Sequence, residues 1–219
     1  MAFILNLETA TKNCSVSLAK EGKTIALAEY AGEGYAHAEK LHVFIAEVLD
    51  KAGVTYNDLQ AVAVSMGPGS YTGLRIGVSA AKGLCYALDV PLIAIDTLEL
   101  LARKVSIESG VIVPMIDARR MEAYTGVFNS GYEKIRNIKA EIITEESFAD
   151  LLLPIHFVGD GAAKCRAVLT GDRFTYHEEI LYPSAQQMSA LSFDKYKISD
   201  TVDVAYFEPF YLKDFISAK

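Results

Sequence analysis

The sequence predicts an α/β fold built from two related lobes. Glu8 ends an apolar run and lies 14 residues before Gly22, the glycine of a predicted hairpin turn. Asp117 also ends an apolar run and lies 14 residues before Gly131, in a second hairpin turn. In both halves a strand, a hairpin and a helix precede another strand, a glycine-containing loop and a further helix. We therefore infer two similar lobes with a cleft between them.

The elements of the first half follow from hydrophobic periodicity and from turn residues. Apolar residues at helical spacing predict a helix over 36–52, which Gly53 ends. The glycine-rich loop 67–73 leads into a second helix over 72–88, and a short helix follows Asp96. Apolar runs predict strands at 2–8, 14–20, 24–30, 61–66 and 91–95.

The second half repeats this order with weaker signals. A partial capping box, T-x-x-S, predicts a helix that begins near Thr144. Two more helices are expected, one after 159–162 and one over 184–192. Apolar and alternating runs predict strands at 111–116, 122–129, 133–143 and 155–158.

These elements divide into two lobes. The N-terminal lobe is predicted to span 1–106, with the C-terminal tail 195–219 packed back on it, and the C-terminal lobe to span 107–194. The tail is rich in aromatic residues, which suit either packing on the body or contact with a partner, and both interpretations stay open.

Composition excludes several classes of protein. The 219 residues are 51% hydrophobic, which excludes a disordered chain, and a net charge of −7 argues against a free-standing nucleic-acid binder. Three widely spaced cysteines predict no disulfide framework and favour the reducing cytoplasm. The N-terminus lacks a basic segment, and no apolar run reaches the roughly 18 residues of a membrane helix. We expect a soluble cytoplasmic protein.

Four acidic residues end predicted strands, and two interpretations of them remain open. Ligands of α/β sheets bind beyond the carboxyl ends of the strands, so these acids are candidates to line one cleft. Alternatively, they cap turns and helices. The four are Glu8, Asp96, Asp117 and Asp160.

Common catalytic and metal-binding motifs are absent from the sequence. Gly22-Lys23-Thr24 resembles the end of a phosphate-binding P-loop, but Ser17 replaces the required glycine and the segment is a hairpin tip. A G-x-S-x-G nucleophile motif is also missing, because Tyr71 occupies its centre and Ser70 is better placed as a helix N-cap. His37 and His42 are five residues apart and point in different directions around a helix, so they cannot chelate zinc together.

The strongest signal is the segment Gly67–Gly77, GPGSYTGLRIG. Its backbone N–H groups suit a phosphate, but its glycines equally suit a tight turn and close helix packing. On the following helix Gly73, Gly77 and Ala81 share one side. The opposite side is also largely apolar, and Val43 adds an apolar residue outside the main stripe of the first helix. We favour a partner protein covering this patch, with the chain's own tail as the alternative.

Several motifs together resemble the TsaB (YeaZ) family. They are ILNLETAT at 4–11, GPGSYTGLRIG at 67–77, VSAAKGL at 78–84, PLIAIDTLELLA at 91–102 and GDGA at 159–162. The resemblance implies an actin-like, sugar-kinase-like (ASKHA) fold and a role in making threonylcarbamoyladenosine in tRNA, beside the anticodon. It also implies two protein partners, a TsaD-type transferase that performs the chemistry and a TsaE-type ATPase. A separate enzyme makes the threonylcarbamoyl-adenylate donor.

One departure from the transferase is informative. TsaD-type proteins carry an H-x-E-G-H metal motif, and the corresponding region here is 96–101, with Thr97 and Leu101 where the histidines would be. Neither residue suits a metal. The resemblance therefore implies a non-catalytic activating or scaffolding subunit without a metal, which meets tRNA only through the complex.

The family also implies where the partners bind. Its first two helices pack against a partner, which assigns partner binding to His37, Leu41, Phe44, Ile45, Val48, Leu74, Arg75, Val78, Lys82 and Tyr86. A homodimer is expected through the same patch when the partner is absent. A vestigial nucleotide cleft would involve Glu8, Gly67, Gly69, Ser70, Asp96, Asp117, Gly159 and Asp160.

No cofactor is expected, and weak ATP or ADP binding at the cleft or at a partner interface stays open. The alternative function is an ATP-dependent small-molecule kinase of the same fold. A peptidase is the least supported reading, because the sequence offers neither a metal site nor a nucleophile–base pair.

Overall fold

The computed structural model describes residues 1–32 and 36–213, which form two compact units. The first unit comprises Met1–Thr97 and Ser184–Phe210, and the second comprises Leu98–Pro183 and the described residues from Tyr211 onward. The units divide after 97 and 183, so the boundaries predicted after 106 and 194 are corrected. The tail does pack on the first unit as far as Phe210.

The first unit is built on a five-stranded sheet in the order β3-β2-β1-β4-β5. β1, β2 and β3 are antiparallel, whereas β4 and β5 run parallel to β1. The strands are β1 (Phe3–Glu8), β2 (Asn13–Lys20), β3 (Lys23–Ala31), β4 (Leu59–Gly67) and β5 (Leu92–Asp96). Its helices are α1 (His37–Ala52), α2 (Tyr71–Leu88) and, near the C-terminus, α5 (Met188–Lys197).

Side-chain alternation along β2 explains how the two faces of this sheet are covered. Val16 and Leu18 belong to the apolar core that α1 and α2 complete. Ser15 and Ser17 point the other way, where Ser15 Oγ accepts a hydrogen bond from Ala185 N and Ser17 Oγ donates one to Ala185 O. The segment that begins at Ser184 is therefore part of the first unit, which is the physical reason for the corrected boundary.

The second unit repeats the plan. Its sheet has the order β10-β9-β6-β7-β8, with β6, β7 and β8 antiparallel and β9 and β10 parallel to β6. The strands are β6 (Val111–Asp117), β7 (Glu122–Asn129), β8 (Lys134–Ile142), β9 (Ile155–Val158) and β10 (Phe174–His177). Two short helices are α3 (Thr97–Ala102), which begins at the unit boundary, and α4 (Ala162–Cys165). The internal repeat predicted from the sequence is present.

The C-terminal half differs from the prediction at one helix and one strand. Residues 144–150 form successive turns instead of a helix, because Phe148 adopts a left-handed φ of 64° that places its ring in the core. Strand β10 was not predicted. The helix predicted over 184–192 is present: it begins with a 3₁₀ turn, Ala185–Gln187, and continues as α5 to Lys197.

The cysteines and the apolar character of the helices bear on two further predictions. Cys14, Cys85 and Cys165 are buried free thiols. Across the described ranges, no helix has both the length and the apolar character that crossing a membrane requires.

Helix α2 approaches the backbone after β1 so closely that only glycine fits. A Cβ atom at Gly73 would lie 2.1 Å from the carbonyl oxygen of Thr9, and one at Gly77 would lie 2.2 Å from Thr9 Oγ1. A Cβ atom at Gly69 would lie 2.2 Å from the carbonyl oxygen of Ala10. The glycines of this segment therefore serve close packing, as one of the two interpretations predicted.

The same turn buries a carboxyl group. Glu8 is fully buried; its Oε1 accepts a hydrogen bond of 2.6 Å from Ala10 N, while Oε2 has no hydrogen-bond partner. Burial raises the pKa of Glu8 from 4.5 to about 7, although hydrogen bonds from Ala10 and Ser65 oppose the shift. The folded chain therefore binds a proton here more tightly than the unfolded chain.

We expect Gly73→Ala to lower the free energy of unfolding by about 1–3 kcal/mol, because the new methyl group displaces backbone. Gly83→Ala in the same helix is the matched control. A Cβ there meets nothing within 4 Å, so alanine should stabilise the chain by about 0.5–1 kcal/mol. Urea unfolding measures both values, and equal effects would contradict the packing argument.

We expect Glu8→Gln to change how stability depends on pH. Since the pKa is raised on folding, the parent chain loses stability as pH rises from 4.5 to about 7. The variant lacks this loss. At pH 8 its free energy of unfolding should therefore exceed that of the parent by up to about 3 kcal/mol. Urea unfolding at pH 5 and pH 8 tests this. A stability difference between variant and parent that is the same at both pH values would refute it.

Candidate partner-binding face

Most of the predicted partner-binding residues are unavailable to a partner. Six of them are at most 4% exposed: His37, Leu41, Ile45, Val48, Leu74 and Val78. All six are buried residues of α1 and α2. Four of them, Leu41, Ile45, Val48 and Val78, belong to the core that these helices form with the chain's own sheet. Phe44 packs at the edge of the same core. The prediction is therefore corrected for these six side chains.

His37 shows what such a buried position does. Its Nε2 lies 2.8 Å from the carbonyl oxygen of Thr11, and burial lowers the pKa of its imidazole. The ring thus ties the start of α1 to the loop after β1. Its role in the described structure is internal.

The outer face of α2 is the accessible surface. Its exposed residues recur at spacings of three and four, and form one stripe: Thr72, Arg75, Ser79, Gly83 and Tyr86. Tyr86 is 87% exposed, which is unusual for a large aromatic side chain. On α1, Val43 is 60% exposed. Of the predicted partner residues, Arg75, Lys82 and Tyr86 lie on or beside this stripe.

The C-terminal segment 202–210 runs beside α2 and fixes one border of the stripe. Val202 N donates to the carbonyl oxygen of Leu92 at 2.9 Å, and Phe210 N donates to that of Met66 at 2.7 Å. Between these anchors, Lys82 Nζ donates to the carbonyl oxygens of Ala205 and Phe207, each at 3.1 Å. The lysine predicted to bind a partner therefore holds the chain's own tail.

A shallow cavity of about 580 Å³ lies between α2 and this tail. Its lining is mostly apolar, and consists of Lys82, Gly83, Tyr86, Asp203, Val204 and Ala205. Gly83 contributes no side chain to this lining, and a Cβ atom there would meet nothing within 4 Å. A groove with this volume and lining has room for an apolar side chain. Sequence reasoning missed Ser79, Gly83 and residues 203–205; the signal was the run of small residues on the outer face of the helix.

The predicted nucleotide residues of the first unit are engaged in internal contacts. Gly67 N donates to Thr97 Oγ1 at 3.1 Å, Ser70 N donates to the carbonyl oxygen of Ala10 at 2.7 Å, and Gly73 N donates to Ser70 Oγ at 3.2 Å. Ser70 is thus the N-cap of α2, as predicted. These three N–H groups are unavailable to a phosphate. Glu8 and Asp96 are both buried.

The predicted nucleotide residues of the second unit also stabilise turns. Asp160 Oδ1 accepts a hydrogen bond of 3.0 Å from Asp117 N, and Asp117 Oδ1 accepts one of 2.9 Å from Arg119 N. Lys164 forms an ion pair with Asp117. Gly159 has a φ of 106° and would place a Cβ 2.3 Å from the carbonyl oxygen of Met115. Asp117 and Asp160 therefore cap turns, which agrees with the capping interpretation of these acids.

Comparison with known proteins agrees with this architecture. The family model of TsaD, tRNA N6-adenosine threonylcarbamoyltransferase, matches residues 33–208. The tRNA threonylcarbamoyladenosine biosynthesis protein TsaB of Haemophilus influenzae is 30% identical over 99% of this chain and 95% of its own length. The Escherichia coli TsaB protein is 29% identical over 99% and 96% of the two chains.

Structural comparison gives the same answer. The structure of YeaZ from Pseudomonas aeruginosa superposes with a TM-score of 0.81 at 27% identity, covering 97% of this chain and all of that one. Together with the repeated sheet order, this confirms the actin-like, sugar-kinase-like fold. The chain belongs to the TsaB (YeaZ) family.

Proposed function

We propose that this chain is a non-catalytic subunit of the cytoplasmic complex that attaches threonylcarbamoyl to tRNA adenosine beside the anticodon. It binds a TsaD-type transferase and a TsaE-type ATPase, and it activates or scaffolds the transferase. The biosynthetic role is supported by the names of its relatives from two bacteria, tRNA threonylcarbamoyladenosine biosynthesis protein TsaB.

The observation that carries the non-catalytic role lies at Thr97 and Leu101, where the resemblance places the metal-binding histidines of the transferase. Both side chains are fully buried. Thr97 Oγ1 accepts the hydrogen bond from Gly67 N, and Leu101 packs among apolar residues of the second unit. Within residues 1–32 and 36–213, no group of three or more His, Cys, Asp or Glu is arranged to hold a metal ion.

The surface proposed to bind the transferase is the outer stripe of α2 with the adjoining cavity. Ser79 and Gly83 allow a partner helix to approach closely, since interhelical distance depends on the side chains at the contact. Tyr86 supplies the large aromatic side chain that interfaces favour. When the transferase is absent, the same face serves for a homodimer of this chain, because a two-fold axis brings the patch onto itself.

The chain is proposed to act without a resident cofactor. Three N–H groups of the glycine-rich loop donate internal hydrogen bonds. The loop is therefore poorly suited to bind a phosphate. Weak ATP or ADP binding would then arise at a partner interface. The alternative function, a small-molecule kinase, would need a loop with free N–H groups for a phosphate. These three N–H groups are already engaged in internal hydrogen bonds.

We expect reconstituted tRNA modification to require this chain. Its transferase and ATPase partners from the same genome, the threonylcarbamoyl-adenylate synthase and unmodified tRNA are incubated with and without it. Nucleoside analysis by mass spectrometry should show threonylcarbamoyladenosine only in its presence. Equal yields in both reactions would overturn the proposed function.

We expect Tyr86→Asp to weaken binding to the transferase at least tenfold, because an exposed aromatic anchor becomes a charge that the interface must desolvate. Leu152→Asp is the matched control, since Leu152 is 91% exposed on the second unit. Calorimetry gives the dissociation constants, and sedimentation shows whether the homodimer is lost too. Equal affinities of both variants for the transferase would show that the outer face of α2 is not its binding site.

A further inference from the structure

A hairpin tip in the second unit holds two consecutive arginines in a strained backbone conformation. Arg119 and Arg120, between β6 and β7, have φ angles of 72° and 50°, a left-handed region that favours Gly, Asn and Asp. Arg119 N donates to Asp117 Oδ1 at 2.9 Å, and Glu122 N donates to the carbonyl oxygen of Arg119 at 3.1 Å. An Asn-Gly pair would fit this tip with less strain, so the arginines reduce stability. Strain of this kind concentrates at functional sites.

The side chains of these arginines are exposed and uncompensated. Both residues are exposed, and no hydrogen bond or ion pair of either guanidinium occurs within the described part of the chain. The neighbouring cations differ, because Lys164 and Lys213 pair with the carboxylates of Asp117 and Glu122. These lysines offset the two hairpin carboxylates, so Arg119 and Arg120 are left as the exposed cations of the tip, with the Asp160 carboxylate beside Asp117, in a chain whose net charge is −7.

The chemistry of the pair matches phosphate. A guanidinium presents a planar fork of N–H donors that fits two oxygens of a phosphate group, and two adjacent forks suit neighbouring phosphates of one strand. The tip is also held by its own hydrogen bonds, so the guanidinium groups project from a fixed base. A partner that supplies closely spaced phosphates would recover the energy that the strained backbone costs.

The surroundings favour a nucleic-acid backbone over a free nucleotide. Mononucleotides bind in concave pockets, whereas Arg119 and Arg120 project from an exposed hairpin tip and line no part of the cavity beside α2. Phosphodiester contacts require only exposed cations at a suitable spacing. We propose that Arg119 and Arg120 contact the phosphodiester backbone of the tRNA substrate. This inference rests on the proposed function, and extends it by giving the chain its own contact with tRNA inside the complex.

The test uses the assembled complex and the double variant Arg119→Asn/Arg120→Gly. The variant removes both guanidinium groups and relieves the strain, so its thermal unfolding midpoint should rise while tRNA affinity falls about tenfold in low salt. Fluorescence anisotropy with labelled tRNA measures affinity over a salt series. The slope of log affinity against log salt should become shallower by about 1.5, the value for two lost phosphate contacts.

Two variants serve as controls. Ser199→Gly relieves a left-handed φ of 56° elsewhere without changing charge, and should raise the unfolding midpoint but leave tRNA binding unchanged. Lys23→Ala removes an exposed cation from the first unit, and should leave both the affinity and the salt slope unchanged. Arg119→Gln/Arg120→Gln repeats the loss of charge without altering glycine content, and should also weaken tRNA binding.

The outcomes separate this inference from the proposed function. If modification requires the chain but both double variants bind tRNA with parental affinity and salt slope, the arginine proposal is overturned and the proposed function stands. If tRNA binding is unchanged and ADP affinity falls, the pair binds a nucleotide and the proposal is again overturned. If the chain is dispensable for modification, the proposed function fails before any variant is compared.

Discussion

The first unit depends on the close packing of α2, and of the loop before it, against the two residues that follow β1. Gly69, Gly73 and Gly77 bring that helix against Thr9 and Ala10 at distances that exclude any Cβ atom. This contact fixes which side of α2 faces the sheet and buries the stripe that contains Leu74 and Val78. It also fixes which side remains outside. The accessible face is therefore a consequence of the glycine packing, since a helix that approaches this closely cannot rotate to bury its other side.

The close approach explains why a glycine-rich loop and a strand-end acid, two features typical of phosphate sites, serve structure here. The N–H groups of the loop bond to Thr97, Ala10 and Ser70. Glu8 is sealed beneath the same turn, where burial raises its pKa to about 7, and a neutral carboxyl group suits an apolar site better than an ionised one. A nucleotide phosphate would have to displace these bonds. The glycine-rich loop and Glu8 are thus engaged in internal contacts of the first unit.

The sequence predicted the fold well because its signals were local and mutually consistent. The hairpin turns, the periodic helices and the 14-residue repeat each specify an element independently of distant contacts. The failures arose where tertiary packing decides the conformation. Phe148 enters the core through a left-handed backbone and prevents the helix expected from the capping pattern at Thr144. The C-terminal segment joins the first unit through hydrogen bonds at Ser15 and Ser17 that no local pattern encodes.

The candidate site was predicted in its helices but in only three of its residues, Arg75, Lys82 and Tyr86, and the reason is physical. An apolar residue on an amphipathic helix has the same sequence signature whether it faces its own sheet or a partner. The two cases differ in side-chain size, because a close interface needs small residues flanked by a large one. On α2 the inner face has Gly73 and Gly77, and the outer face has Ser79, Gly83 and the exposed Tyr86. The helix thus carries a close-packing surface on both sides, and only the inner one is occupied within the described chain. Under the proposed function, the outer surface, bordered by a tail that Lys82 holds in place, is the face against which a helix of the transferase packs.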